Sequence, residues 1–312
     1  MLVFLQFRIV AGLRTSRWFG AWVCLEINLL CFVCWLGLNE ARGRGGPLKY
    51  FVVQSLGSGL LLAGVLFSSM QTSVAWFLFI SSLLLKLGAA PLQGWLISLV
   101  GYLSWPSIFL LRSVQKILPT YFFFLLSQGP LFLIARIGAL VGVLGGVLQI
   151  SLKKIFGYSS VLAARWLLRS HGWHPALIYL GAYASAFFIL CKLFHGYGWE
   201  RESQVNRLAL SRGALISYFV ILLRIAGIPP MLGFYAKLGV LVSLVARKGG
   251  LIIVALLRGS AGFLYVYVRL GLNLLGLGRQ SLRGEQNTQV GNLRLAAGLL
   301  LLRLVVWVYM WK

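Results

Sequence analysis

Four ionisable side chains sit inside apolar runs: Glu26 in WVCLEINLL, Lys86 in LLLKLGAAP, Lys116 in SVQKILP and Lys237 in GFYAKLG. A charge at the centre of a bilayer costs about 2.5–3.5 kcal/mol on insertion scales, so it must face another helix, water or a partner. A lysine in such a place can release and regain a proton as its surroundings change. Glu26 is one of two acids in the first half of the chain and the only one of them within an apolar run, which makes it the natural carboxylate for such a lysine. The structural alternative for the lysines is snorkelling, with the long stem in hydrocarbon and the head at the interface. Glu26 is too short for that.

Two of the lysines stand near helix-breaking residues. Lys86 lies five residues before Pro91, and Lys237 lies seven residues after Pro230 in the run AGIPPMLGFYAK. Pro229 and Pro230 remove two amide donors and clash with the preceding turn. In lipid the carbonyls so freed need a neighbouring helix or water. Each half of the chain thus carries an interrupted apolar segment with a lysine beside the break, a pattern that points to an inverted-repeat transport site. Other candidates are weaker. His171 and His174 lie in a connector beside Pro175 with no acid near, and His195 reads as interfacial. Cys31 and Cys34 form a CxxC without the second pair or histidine that a zinc site needs. No phosphate-binding loop, dinucleotide fingerprint or nucleophile elbow is present in the sequence.

These residues need a scaffold, and the composition supplies one. Of 312 residues 60% are hydrophobic and only 11% charged, against roughly 25% in a soluble domain. Mean hydropathy is +0.88. Apolar runs recur near residues 1–13, 18–38, 48–68, 74–97, 104–126, 130–149, 152–169, 174–195, 211–246, 250–276 and 291–311, about eleven spans in all. The expectation is an all-α polytopic membrane protein, with the ninth run divided into two half-helices by its proline pair. The first run lacks the basic flank and small-residue cleavage site of a signal peptide and reads as a short first helix. Gly138, Gly142 and Gly146 follow at i, i+4 and i+8, a small-residue stripe that lets another helix approach closely.

The 29 basic residues against five glutamates give a net charge of +24. In a soluble protein that would suggest nucleic acid. Here the basic residues concentrate in connectors such as 39–47, 150–154, 200–212 and 279–285, which is the positive-inside pattern and excludes a nucleic-acid role. It places the N-terminus on the matrix or cytoplasmic side. Arg112, Arg136, Arg165 and Arg224 fall inside apolar runs. They are open to reading as lipid-facing snorkellers, contacts for accessory subunits, or members of the buried polar series.

The segments WVCLEINLL, PLKYFVVQSLGS, LKLGAAPLQGW, VQKILP, GGVLQISLKKIFGYSS and LLRIAGIPPMLGFYAK occur in an order that resembles subunit 2 of respiratory complex I, the proton-translocating NADH:ubiquinone oxidoreductase. The resemblance runs from about residue 17 to 240. It implies an antiporter-like membrane subunit with two inverted repeats, at about 1–126 and 130–276, followed by a C-terminal helix at 291–311. It also implies the short mitochondrial form, in the inner membrane. By the same resemblance Glu26 modulates its lysine partner, Lys86 is the lysine of the first broken helix, Lys116 the central relay lysine, and Lys237 the lysine of the second broken helix. Cofactors are implied for partner subunits (NADH, FMN, iron–sulfur clusters and ubiquinone) and none for this chain. Partners are the other membrane-arm subunits, accessory subunits and lipids such as cardiolipin.

The chain departs from the resembled pattern at three positions. Ala163 stands where a histidine is expected, Arg165 where a glycine is expected, and Gln93 at another histidine position. Two further functional classes stay open on the sequence alone. One is a secondary cation/proton antiporter, which would want carboxylate and carbonyl ligands for sodium. The other is a structural subunit of the same complex that no longer pumps.

Overall fold

The computed structural model describes Gly12 and residues 18–40, 45–68, 73–126, 132–170, 172–199, 212–229, 231–245 and 250–281. The first apolar run, apart from Gly12, and the run at 291–311 lie outside the described residues, as do Pro230 and His171. The described chain is all-α. Its helices are α1 (Trp18–Asn39), α2 (Gly45–Ser68), α3 (Ser73–Leu87), α4 (Gly94–Val100), α5 (Trp105–Arg112), α6 (Val114–Leu125), α7 (Phe132–Val147), α8 (Leu152–Arg169), α9 (Trp173–Tyr197), α10 (Arg212–Ala226), α11 (Leu232–Val245) and α12 (Gly250–Ser281).

Among the described residues five stretches are long and apolar enough to cross a membrane: Trp18–Asn39, Gly45–Ser68, Trp105–Leu125, Trp173–Tyr197 and Gly250–Gly271. The shorter apolar helices include α3, α11 and parts of α7 and α10. Of these, α3 is followed by α4 after a break, and α10 by α11. Large apolar side chains such as Leu30, Leu56, Phe77, Leu140, Val242 and Tyr265 are exposed on the outside, the surface that hydrocarbon wets. The inside is different. Helix α8 carries Lys153, Lys154, Arg165 and Arg169, yet it is buried along almost its whole length. It packs against α7, α4, α9 and α12. Such a helix is solvated by its neighbours, not by lipid.

The predicted breaks are present, and their caps match. α3 stops at Leu87 and is followed by Gly88 in the left-handed region, φ 62°. α10 stops at Ala226 and is followed by Gly227, φ 76°. A left-handed glycine after the last turn is the usual way to satisfy terminal carbonyls, since no Cβ opposes that φ. At the first break the Gly88 and Ala89 amides bond to the Leu85 and Leu84 carbonyls, and the Trp95 indole also donates to the Leu85 carbonyl at 3.1 Å. Pro91 lies exposed in the turn that follows. At the second break the Gly227 and Ile228 amides both bond to the Leu223 carbonyl, and Pro229 is exposed.

A third interruption was not expected. The run at 104–126 is divided at Ser113 into α5 and α6. The Lys116 amide reaches back to the Ser113 carbonyl, while the Ser113 hydroxyl bonds to the Phe109 carbonyl at 2.6 Å. Pro119 lies inside α6 and has no amide for the Gln115 carbonyl.

The glycine stripe packs as anticipated. A Cβ at Gly142 would fall 2.6 Å from Leu162 Cγ of α8. Gly146 faces Phe263 of α12, and Gly138 faces Ala90 and the stem of Arg165. At the second break a Cβ on Gly233 would meet the Arg224 backbone carbonyl, whereas one on Gly239 meets nothing within 4 Å. Gly233→Ala is therefore expected to push α11 away from α10 and lower the melting temperature of the detergent-purified protein. Gly239→Ala in the same helix should leave it unchanged or raise it slightly, because glycine inside a helix costs roughly 0.5–1 kcal/mol relative to alanine.

Candidate functional site

The buried polar residues form two small cavities with a hydrogen-bonded centre between them. The first lies at the end of α3. Lys86 is 7% exposed. Its ammonium donates to the Gln54 backbone carbonyl at 3.4 Å, and the Gln54 amide donates to the Lys86 carbonyl at 3.3 Å. Gln54 thus satisfies one of the carbonyls freed by the break while its own carbonyl accepts from the lysine. Gly57 permits the close approach of α2, since a Cβ there would lie 3.1 Å from Lys86 Cγ. Asn28, Tyr50 and Gln115 line the same cavity, with about 10 Å³ open to the centre of a water-sized sphere. That is room for about one water. The Asn28 amide donates to Gln115 Oε1, joining α1 to α6.

Glu26 does not hold Lys86 in an ion pair. Among the described residues the Lys86 ammonium bonds to Gln54, and Glu26 Oε2 is buried with no hydrogen-bond partner. The sequence places both groups at membrane depth but says nothing of the direction each takes from its own helix. Here the Gln54 carbonyl of α2, brought close by Gly57, supplies the nearer acceptor.

The centre is built on the α5–α6 break and on α8. Lys116 is 2% exposed, and its ammonium donates to the Ser160 carbonyl at 2.8 Å and the Ser160 hydroxyl at 2.6 Å. One turn earlier Arg112 is wholly buried. Its Nη2 donates to the Ser159 hydroxyl, and its guanidinium carbon lies 3.9 Å from the centroid of the Phe187 ring. A desolvated cation over an aromatic face gains up to about 2 kcal/mol. Arg112 Nε and Nη1 have no partner. Ser159 also shares a hydrogen bond with the Tyr183 hydroxyl at 3.1 Å. Adjacent serines of α8 therefore receive the two cations of the α5–α6 segment.

The second cavity lies beside the α10–α11 break. Its walls include Ser159, Ala163, Arg165, Tyr179, Tyr183 and Lys237, and about 30 Å³ is open to the centre of a water-sized sphere. The Lys237 ammonium donates to the Ala226 carbonyl, the last residue of α10, and lies 5.6 Å from the Trp166 ring centroid. Arg165 is 3% exposed, and Nη1 donates to the Ala255 carbonyl at 3.4 Å. Ser159 and Tyr183 belong to the wall of this cavity and also to the Arg112 cluster. The polar residues thus run from Lys86, through Gln115 and Lys116 to Ser160, and from its neighbour Ser159 to Lys237.

Three of the four arginines noted in the apolar runs are now placed. Arg112, Arg165 and Arg224 are buried among helices, so none of them is a lipid-facing snorkeller. Arg224 Nη2 donates to the Ser185 hydroxyl at 3.0 Å. The Arg136 side chain lies outside the described residues. Gln93 caps the start of α4 within the first break, and its Oε1 is buried without a partner. His174 and His195 are exposed, and the four cysteines form no disulfide. Among the described residues no group of three or more histidine, cysteine or acidic side chains is placed to hold a metal ion.

The family model described as NADH:quinone oxidoreductase/Mrp antiporter, TM, matches residues 65–262. NADH-ubiquinone oxidoreductase chain 2 of Mytilus edulis is 33% identical over 268 residues, covering 83% of this chain and 80% of the relative. This chain belongs to that family. The chain 2 of Artemia franciscana is 32% identical over 273 residues, covering 87% of this chain and 88% of the relative. Among solved structures, a chain of respiratory complex I from Thermus thermophilus with bound aureothin superposes with a TM-score of 0.79. It is 21% identical and covers 96% of this chain and 75% of that one. A chain of the Mrp complex from Dietzia sp. DQ12-45-1b gives 0.70 at 21% identity, covering 91% and 60%. At these identities the structural likeness concerns the fold.

Within this chain 2 family fold, reading the sequence found the lysines and missed what holds them. Gln54, Asn28, Gln115, Ser159 and Ser160 all lie within the segments that carry the resemblance, but as neutral polar residues they suggest no chemistry by type. A polar residue inside an apolar span was the available signal, since each such group must find a partner in hydrocarbon. Ser159→Ala would leave the Arg112 Nη2 without its hydroxyl and is expected to cost about 1–3 kcal/mol, read as a lower melting temperature in detergent. Adding Arg112→Leu should restore much of that loss, because an apolar side chain replaces a buried and now unpaired cation. Equal melting temperatures for wild type and Ser159→Ala would show that this bond is not structural.

Proposed function

We propose that this chain is a proton-translocating membrane-arm subunit of respiratory complex I in the mitochondrial inner membrane, and that Glu26, Lys86, Lys116 and Lys237 form its proton relay. Family membership supports the class, since the curated relatives are named NADH-ubiquinone oxidoreductase chain 2. The observation that carries the mechanism is the buried polar series itself. Lys86, Lys116 and Lys237 all point inward, each bonded to a backbone carbonyl, with small cavities at both ends and serine hydroxyls between. In this reading the two interrupted helices are equivalent elements of two inverted repeats at about 1–126 and 130–276, within about eleven spans. Redox chemistry, with its nucleotide, flavin, iron–sulfur and quinone cofactors, belongs to partner subunits. Other membrane-arm subunits, accessory subunits and cardiolipin would cover the apolar exterior.

The chemistry needs three things of these residues. Each lysine must be able to exist charged or neutral, which its neutral acceptors permit. Water must bridge the gaps, and each cavity holds about one or two. A change in field must reach the first lysine, and Glu26 is the acid placed to carry it. Quinone reduction elsewhere would alter the charge beside Glu26, and the proton would pass from Lys86 by way of Lys116 toward Lys237.

In the assembled complex, Lys86→Met and Lys116→Met are each expected to reduce protons pumped per electron severalfold while the complex still assembles. Proton uptake in sealed vesicles against NADH oxidation measures the ratio. An unchanged ratio in both variants would defeat the relay. Glu26→Gln should give a smaller loss than Lys86→Met, because Glu26 makes no direct contact with the lysine it influences.

A further inference from the structure

We infer that the cavity between Arg165 and Lys237 is a binding site for a small monovalent inorganic anion of the halide class. This goes beyond the relay and stands on the cavity alone. Two cationic side chains line one cavity, and no carboxylate is present among the described residues of its wall. Lys237 has an acceptor in the Ala226 carbonyl. Arg165 is far less well provided: its hydrogen bond to the Ala255 carbonyl is long, at 3.4 Å, and among the described residues its buried Nε and Nη2 have no hydrogen-bond partner. A guanidinium cannot lose its proton in a protein, so it cannot escape the cost of burial by becoming neutral. A bound anion removes that cost.

The structure accommodates Arg165 on purpose-built space. Gly138 lies against its stem, where a Cβ would come within 3.0 Å of Cδ, and a Cβ on Gly259 of α12 would fall on the guanidinium itself. Ala163 and Arg165 both line this wall, and the guanidinium brings it a permanent positive charge. Hydroxyls of Tyr179 and Tyr267 also line the wall and can donate to an anion. The ≈ 30 Å³ open to the centre of a water-sized sphere is room enough for a monatomic ion.

The test is equilibrium binding of radiolabelled chloride to the full chain in detergent at constant ionic strength, with gluconate as the replacing anion. The expected result is saturable binding of one chloride per chain, displaced by bromide and not by gluconate. Arg165→Leu should abolish it and Lys237→Gln should weaken it severalfold. Absence of saturable binding to the wild type overturns the proposal, whatever the variants do. So does binding that is unchanged in both variants. Proton pumping that fails in Lys86→Met while chloride binding persists would separate this site from the relay.

Discussion

Hydrocarbon offers no hydrogen bonds, and every polar group that enters it must be satisfied by the protein. The rest of this structure follows from that constraint. An unbroken helix meets it by itself. A broken helix does not, and each break here recruits side chains to close the account: Trp95 and Gln54 at the first, and Lys237 at the second. The lysines and the interruptions are therefore parts of one device. Without the second break the Lys237 ammonium would lack its nearby carbonyl, and without the ammonium and amide groups both breaks would expose bare carbonyls in a dry interior.

Helix α8 gives this device its continuity. Two consecutive serines on it receive Lys116 and Arg112, and one turn further on Arg165 enters the second cavity. Its faces are shared among α7, α4, α9 and α12, so its polar side chains are never offered to lipid. The charge it carries would rule it out as a membrane span by hydropathy. Its burial explains why that charge is tolerated.

Much of this was legible in the sequence. Proline placed the two main breaks because its effect on the backbone is local and needs no knowledge of neighbours. The apolar runs gave the helices for the same reason. The lysines stood out because charge in an apolar run is costly wherever it points. The division at Ser113 was not legible: the nearest proline is Pro119, and the break depends on how Ser113 and Lys116 bond back to the preceding turn. The direction of Glu26 and the inward turn of Arg112, Arg165 and Arg224 were hidden as well. Helix rotation decides those, and helix rotation is set by packing between segments far apart in the chain.

One feature of the lysine sites has a further effect on their energetics. Lys86, Lys116 and Lys237 are all held by carbonyl or hydroxyl oxygens. A cation that leaves a carboxylate strands a negative ion in a medium that cannot screen it. A cation that leaves a carbonyl strands only a dipole. Emptying the Lys86 or the Lys116 position thus creates no orphan counter-ion, and these two sites can occupy their charged and discharged forms without first prising opposite charges apart.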